Sequence, residues 1–140
     1  MLYLDTSVLV AALTREQRTA FIQKWLAEKP GGALAISDWV VTEFSAALSI
    51  KVRTRQINGK QRADALSVFT SLVEESFTRV TITPREFGDA ARYADQYTTG
   101  LRAGDSLHLA VCARLGVPLV TLDKTLAKAS TALGIRSELL

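Results

Sequence analysis

The chain has 140 residues, 48% of them hydrophobic, enough to bury a core of ordinary size in one globular domain without covalent staples. Seventeen Lys and Arg against fourteen Asp and Glu give a formal charge of +3, which permits a polyanionic partner without demanding one. A single cysteine, Cys112, excludes an internal disulfide and any multi-cysteine zinc site and points to a reducing, cytoplasmic setting.

The first basic residue is Arg15, and Asp5 interrupts the opening apolar run, so the start does not read as a secretory signal. No apolar run approaches the roughly 20 residues a membrane helix needs, and no membrane association is expected. "LYL" is the first candidate strand. "TREQ" then reads as a capping box opening a helix with Phe21, Ile22, Trp25 and Leu26 on one face, stopped at "KPGG". "ALAI" is a second strand. "SDWVVTEFSAALSIKV" has helical periodicity with Ser37 or Asp38 as its cap, and Asn58-Gly59 breaks it.

A further helix is predicted from Lys60 to Phe77, with Ala63, Leu66, Phe69, Leu72 and Val73 at helical spacing, followed by "RVTI" as the third strand. Thr83, Pro84 and Glu86 form the clearest helix start in the chain: a cap, a proline in the first turn and a closing acid. "TTGLRAG" is a loop, "DSLHLAVCARLG" a helix ended by Gly116, "PLVTL" a strand, "KTLAKASTAL" the last full helix and "GIRS" an edge strand. Val111 and Ala113 beside Cys112 predict a buried thiol. Strands alternating with helices indicate a single α/β domain over residues 1–140, built on a parallel sheet.

Four acids stand apart from the solvated ones. Asp5 ends the first strand and Asp123 ends "PLVTL", at the carboxyl edge where open α/β sheets place ligands; Asp105 precedes the "SLHLAV" helix. Each could instead simply cap the helix that follows. Glu43 differs: at about 100° per residue it falls inside an arc holding Val40, Phe44 and Ala47 on one side and Trp39 and Ile50 on the other. An ionised carboxylate there needs a partner, and the sequence sets no obvious Lys or Arg beside the stripe.

If Asp5, Glu43, Asp105 and Asp123 meet at one sheet edge, each pair about 5 Å apart repels by about 3 kcal/mol at an effective dielectric near 20. Hard divalent cations with oxygen ligands, Mg²⁺ or Mn²⁺, are the matching counter-charge, and up to two would balance four carboxylates. Such a site suits phosphodiester hydrolysis by metal-activated water. His108, at helical spacing from Asp105, reads either as a proton carrier or as a satisfied core histidine. The chain has no G-x-S-x-G elbow, glycine-rich phosphate loop or Cys–His pair. Lys51, Arg53, Arg55, Lys60 and Arg62 put five cations in twelve residues without an acid, either a solvated helix end or an RNA-phosphate contact.

With "YLDTSVLV", "SDWVVTEFSAAL", "LRAGDSLHLAVCARLGVPLVTLD" and "TLDKTLAKAS" in this order and spacing, the whole chain resembles a PIN-domain ribonuclease, in particular the VapC toxin of a VapBC toxin–antitoxin pair. The resemblance implies a three-layer α/β/α fold with a central parallel sheet of four to five strands. It implies Asp5, Glu43, Asp105 and Asp123 as catalytic residues and ligands for one or two Mg²⁺ or Mn²⁺ ions. Endonucleolytic RNA cleavage, inhibition of translation, homodimerisation and a cognate antitoxin follow from the same resemblance, with Ser7 and Thr121 as small polar residues near the acids. Two other classes compete: a non-catalytic RNA- or protein-binding domain of this fold, and an aspartate phosphoacceptor module, which would leave Glu43 unexplained.

Overall fold

The computed structural model describes residues 1–140. The chain begins with strand β1 (Leu2–Leu4), and Asp5 turns it directly into helix α1 (Thr6–Leu13) by accepting the Ser7 N–H at 3.0 Å. After α2 (Thr19–Ala27) come β2 (Leu34–Ser37) and the long helices α3 (Asp38–Arg53) and α4 (Gly59–Glu75). Phe44 of α3 stacks on Phe69 of α4 with ring centroids 4.1 Å apart, inside a core of 25 buried residues. Strand β3 (Thr78–Val80) and α5 (Pro84–Ala94) follow, then a short 3-10 turn at Tyr97–Thr99, α6 (Ala103–Leu115), β4 (Leu119–Thr121), α7 (Lys124–Ala132) and β5 (Ser137–Leu139).

All five strands pair in parallel, in the order β3-β2-β1-β4-β5. Every residue of β2 and β4 is buried, as a parallel sheet covered by helices on its faces requires. Helix α1 contacts α2, α3 and α4, while α5 packs along α6. The chain runs outward from β1 through β2 to β3 on one side, then returns to build β4 and β5 on the other. The strand order therefore reverses between β1 and β4, and the carboxyl ends of those two strands border the crevice where such sheets bind ligands. Asp5 directly follows β1, and Asp123 lies two residues beyond β4.

The α/β class and the parallel sheet match the sequence reading, as does the buried Cys112. The box at Thr83 is present, with its backbone N–H donating to Glu86 Oε2 at 2.6 Å; Glu86 also pairs with Arg114 Nε at 2.9 Å, tying α5 to α6. Several boundaries move. Thr14 does not open a helix: it ends α1, its hydroxyl donating to the Val10 carbonyl at 2.7 Å, and the next helix starts at Thr19. Ala63 faces solvent and Ala65 takes its place against the core. Strand pairing ends β3 at Val80, short of "TI", and sets the last strand at Ser137–Leu139, beyond most of "GIRS". Helix α6 starts two residues before Asp105, which lies in its first turn and not ahead of it.

Candidate active site at the carboxyl edge of the sheet

Asp5 is held where β1 ends and α1 begins. Its own N–H still bonds the Val120 carbonyl of β4 at 3.0 Å, so the sheet ladder fixes its backbone. One carboxylate oxygen accepts from Ser7 N–H and from Ser7 Oγ at 2.5 Å; the other accepts from Thr121 Oγ1 at 2.7 Å. Both hydroxyls work twice. Ser7 Oγ accepts the Leu122 N–H at 3.0 Å, and Thr121 Oγ1 accepts the Asp123 N–H at 2.9 Å. Ser7 and Thr121 thereby stitch the end of β1 to the end of β4 around Asp5.

Asp123 caps α7, one oxygen accepting from Thr125 N–H at 2.7 Å and Leu126 N–H at 3.0 Å. Asp105 Oδ2 accepts the Arg102 N–H at 3.1 Å. Asp123 thus plays the capping role foreseen for it, whereas Asp105, inside the first turn of α6, accepts the N–H of the cap residue Arg102; in each, one oxygen is occupied and the other is left without a hydrogen bond. Capping and ligand binding are thus compatible at the same residue.

Glu43 reaches the edge from the first turns of α3. Its partner is neither Lys nor Arg: Glu43 Oε2 accepts from Thr6 Oγ1 at 2.5 Å and from His108 Nε2 at 2.7 Å. The apolar arc around it is narrower than periodicity suggests, because Ile50 is 49% exposed while Val40, Phe44 and Leu48 are buried. Gly104 makes room for Glu43 Oε1. A Cβ on Gly104 would stand 2.5 Å from that oxygen and 3.1 Å from Trp39 Nε1, whose N–H is buried without a hydrogen-bond partner.

The electrostatics join these acids. Burial pushes the Asp5 carboxyl above its ordinary range, against the opposing pull of His108, Ser7 and Thr121. Burial likewise raises Asp105, helped by the charges of Asp123 and Glu43 and opposed by the Arg102 N–H and His108. Burial alone would raise Glu43 as well, but the bond and charge of His108, with the Thr6 hydroxyl, bring it below its ordinary value. Asp105 therefore lies within the fields of Asp123 and Glu43, and Asp5 shares with Asp105 and Glu43 the influence of His108. As the side chains stand, no three of His, Cys, Asp or Glu anywhere in the chain form a group poised to hold one ion.

The donor set nevertheless suits a hard divalent cation. It is all carboxylate oxygen, three of its members keep an oxygen free of hydrogen bonds, and burial pushes two of them toward protonation, which a bound cation would oppose.

The basic stretch lies elsewhere. Arg53 is ten residues beyond Glu43 on the same helix, roughly 15 Å along its axis. Lys51 pairs with Glu16 at 2.9 Å, Lys60 with Asp64 at 2.8 Å, and Arg62 donates to Ser49 Oγ at 3.3 Å. Arg53 and Arg55 make no side-chain bonds, and Arg55 sits in the left-handed region at φ 59°. Sequence reasoning passed over Tyr3, Ser37 and Thr6, all of which bond within this edge. A buried tyrosine in a three-residue strand was the available signal, since its hydroxyl must find a partner.

Over residues 2–131, the chain matches the family model described as the PIN domain. The chain belongs to the PIN-domain family. Solved structures share the fold of this PIN domain along its full length. VapC20 of Mycobacterium tuberculosis, described as a toxin that cleaves the sarcin–ricin loop, is similar at a TM-score of 0.74 and 17% identity, covering 96% of each chain. VapBC2 of Rickettsia felis, bound to a DNA fragment from its promoter, gives 0.68 and 17%, covering 100% of this chain and 99% of the other. VapBC-1 of nontypeable Haemophilus influenzae gives 0.64 and 17%, covering 99% and 98%. No curated protein matches the chain in sequence. No helix of this PIN domain is long and apolar enough to cross a membrane.

Two predictions arise from this geometry. Ala normally stabilises a helix over Gly by about 0.5–1 kcal/mol, but Gly104→Ala should lower stability in urea unfolding because its methyl displaces Glu43; a gain of the usual size would contradict the packing. The second concerns pH. Because burial raises the folded Asp5 above its usual value of 3.8, the folded state binds this proton more tightly than the unfolded chain. Stability is therefore greatest below the ordinary value and is lost as pH climbs through the raised one. Asp5→Asn should gain stability relative to the parent as pH rises from about 4, measured in urea without added metal. A difference that stays flat with pH would contradict the burial argument.

Proposed function

We propose that this PIN domain is a metal-dependent endoribonuclease that cleaves RNA phosphodiester bonds, and that it acts as the toxin of a toxin–antitoxin pair inhibiting translation in the cytoplasm. What supports the catalytic reading is the placement of Asp5 and Asp123 at the carboxyl ends of β1 and β4, where the strand order reverses, with Glu43 bonded to Thr6 beside Asp5 and packed against Gly104 beside Asp105. One or two Mg²⁺ or Mn²⁺ ions would be held by these four residues, and when bound supply a Lewis acid that lowers the pKa of water and neutralises charge on the phosphate.

The chain's own residues prepare that edge. Ser7 and Thr121 hold Asp5 rigid from two sides. The α6 and α7 first turns fix Asp105 and Asp123 by one oxygen each and present the other. Thr6 and His108 fix Glu43. Arg102 and Lys124, exposed and next in sequence to the acid-bearing turns, are close enough in the chain to meet RNA phosphates beside the cut. Arg53 and Arg55 remain free for a more distant stretch of the same strand, with Lys51, Lys60 and Arg62 already engaged.

The toxin reading is supported by the VapC20 likeness and by the VapBC pairs, whose names join toxin to antitoxin. On this reading the partners are RNA, a cognate antitoxin and a second copy of the chain. A binding-only PIN domain is the competing reading, favoured by the lack of a ready three-ligand group.

The deciding assay incubates partner-free protein with mixed cellular RNA in Mg²⁺, Mn²⁺ or EDTA. Discrete fragments should appear with metal, vanish with EDTA, and fall at least about a hundredfold in Asp5→Asn, since losing a ligand costs more than disturbing one from behind. Asp89→Asn, paired with Arg92 away from the acids, should cut normally. Intact RNA from well-folded protein across individual structured RNAs would favour the binding-only reading.

A further inference from the structure

A chain of hydrogen bonds runs from inside the sheet to the acid edge. Ser37 Oγ lies 2.7 Å from the Tyr3 hydroxyl, which lies 3.0 Å from His108 Nδ1; His108 Nε2 meets Glu43 Oε2 at 2.7 Å. Tyr3 and Ser37 are fully buried and His108 is 2% exposed. The links join β1, β2, α6 and α3, four elements that meet only in the folded protein.

The donors and acceptors fix its sense. A carboxylate only accepts, so Nε2 must carry the proton that reaches Glu43. Nδ1 then meets a hydroxyl able to serve it in either charge state: the phenol donates to a neutral ring or accepts from a charged one, and Ser37 turns to match. The ring's orientation is thus held at both nitrogens whatever its charge. Glu43 Oε2 takes a second bond from Thr6, so two donors from different helices grip one oxygen. The other oxygen, against Gly104, stays free of hydrogen bonds.

We propose that Tyr3 and His108 are positioning residues that hold the Glu43 carboxylate at the cation-binding edge, Tyr3 acting through His108. The inference rests on the reading of Glu43 as a cation ligand. Both residues are buried behind Glu43, away from solvent. In a merely structural role, Tyr3 would satisfy His108 in the core, and its loss would lower stability without altering Glu43.

The test labels Glu side chains with ¹³C and His with ¹⁵N in the metal-free, full-length protein. His108 Nε2 should carry a proton. Tyr3→Phe removes one oxygen that never contacts Glu43, yet should move the Glu43 carboxyl carbon resonance. It should also weaken Mn²⁺ binding, measured by calorimetry without RNA, about tenfold, the usual loss when a residue supporting a metal ligand is altered. His108→Ala should lose at least as much. His108→Gln, whose amide N–H can occupy the place of Nε2, should recover most of the affinity.

An unmoved Glu43 resonance in folded Tyr3→Phe would overturn the proposal, as would a wild-type ring with Nε2 unprotonated. If Tyr3→Phe does not fold, Ser37→Ala, one bond further out, gives the same carboxyl readout and decides the same point. Should the wild type bind no Mn²⁺, the metal reading fails on its own, and the Glu43 resonance decides the positioning role.

Discussion

A carboxylate buried at the turn from β1 to α1 is the constraint around which this molecule is arranged. Asp5 is 5% exposed, and an ion so placed is tolerated only if its surroundings supply bonds or charge. The structure supplies bonds. Two hydroxyls and a backbone N–H bond it, leaving lone-pair capacity over, and the same hydroxyls accept backbone N–H groups from the β4 end of the sheet. No Lys or Arg joins them, and burial leaves the carboxyls of Asp5 and Asp105 above their ordinary range.

Parallel topology explains why the acids can gather at all. Each strand of such a sheet ends at the same edge, and each is followed or preceded by a helix whose first turn offers N–H groups to an acid. Asp105 and Asp123 exploit this, spending one oxygen on the helix and keeping the other. Glu43 arrives on a helix flank instead, where no cap is available, and needs Thr6, His108 and the missing side chain of Gly104 to be held. Local helix chemistry and site chemistry are served by different oxygens of the same residues, so the acids contribute to the fold and remain available to a ligand.

Much of this was legible in the sequence, and for physical reasons. The acids at strand ends, the Pro84 helix start and the alternation of strand and helix are local signals. Glu43 announced itself by falling on an apolar arc. What local reading missed was long-range. Thr14 matched a capping box in pattern, but the geometry of α1 took its hydroxyl back to Val10. The basic run from Lys51 to Arg62 looked free because its counter-charges Glu16 and Asp64 are neighbours in space or one turn away, outside the acid-free window. Tyr3 and His108 are 105 positions apart, and only the packing of α6 against the sheet brings them together. Their types gave a hint, since each carries polar atoms into an apolar stretch.

The catalytic role of the edge requires the four carboxylates to share a cation. Crystals of the protein soaked in Mn²⁺ and measured at a wavelength where manganese scatters anomalously answer this without reference to activity. The account predicts an anomalous peak at the carboxyl edge between β1 and β4, within ligand distance of Asp5 and at least one of Glu43, Asp105 and Asp123, and lost in Asp5→Asn. A well-ordered edge with no peak there, at Mn²⁺ concentrations that label other carboxylates of the same crystal, would contradict it.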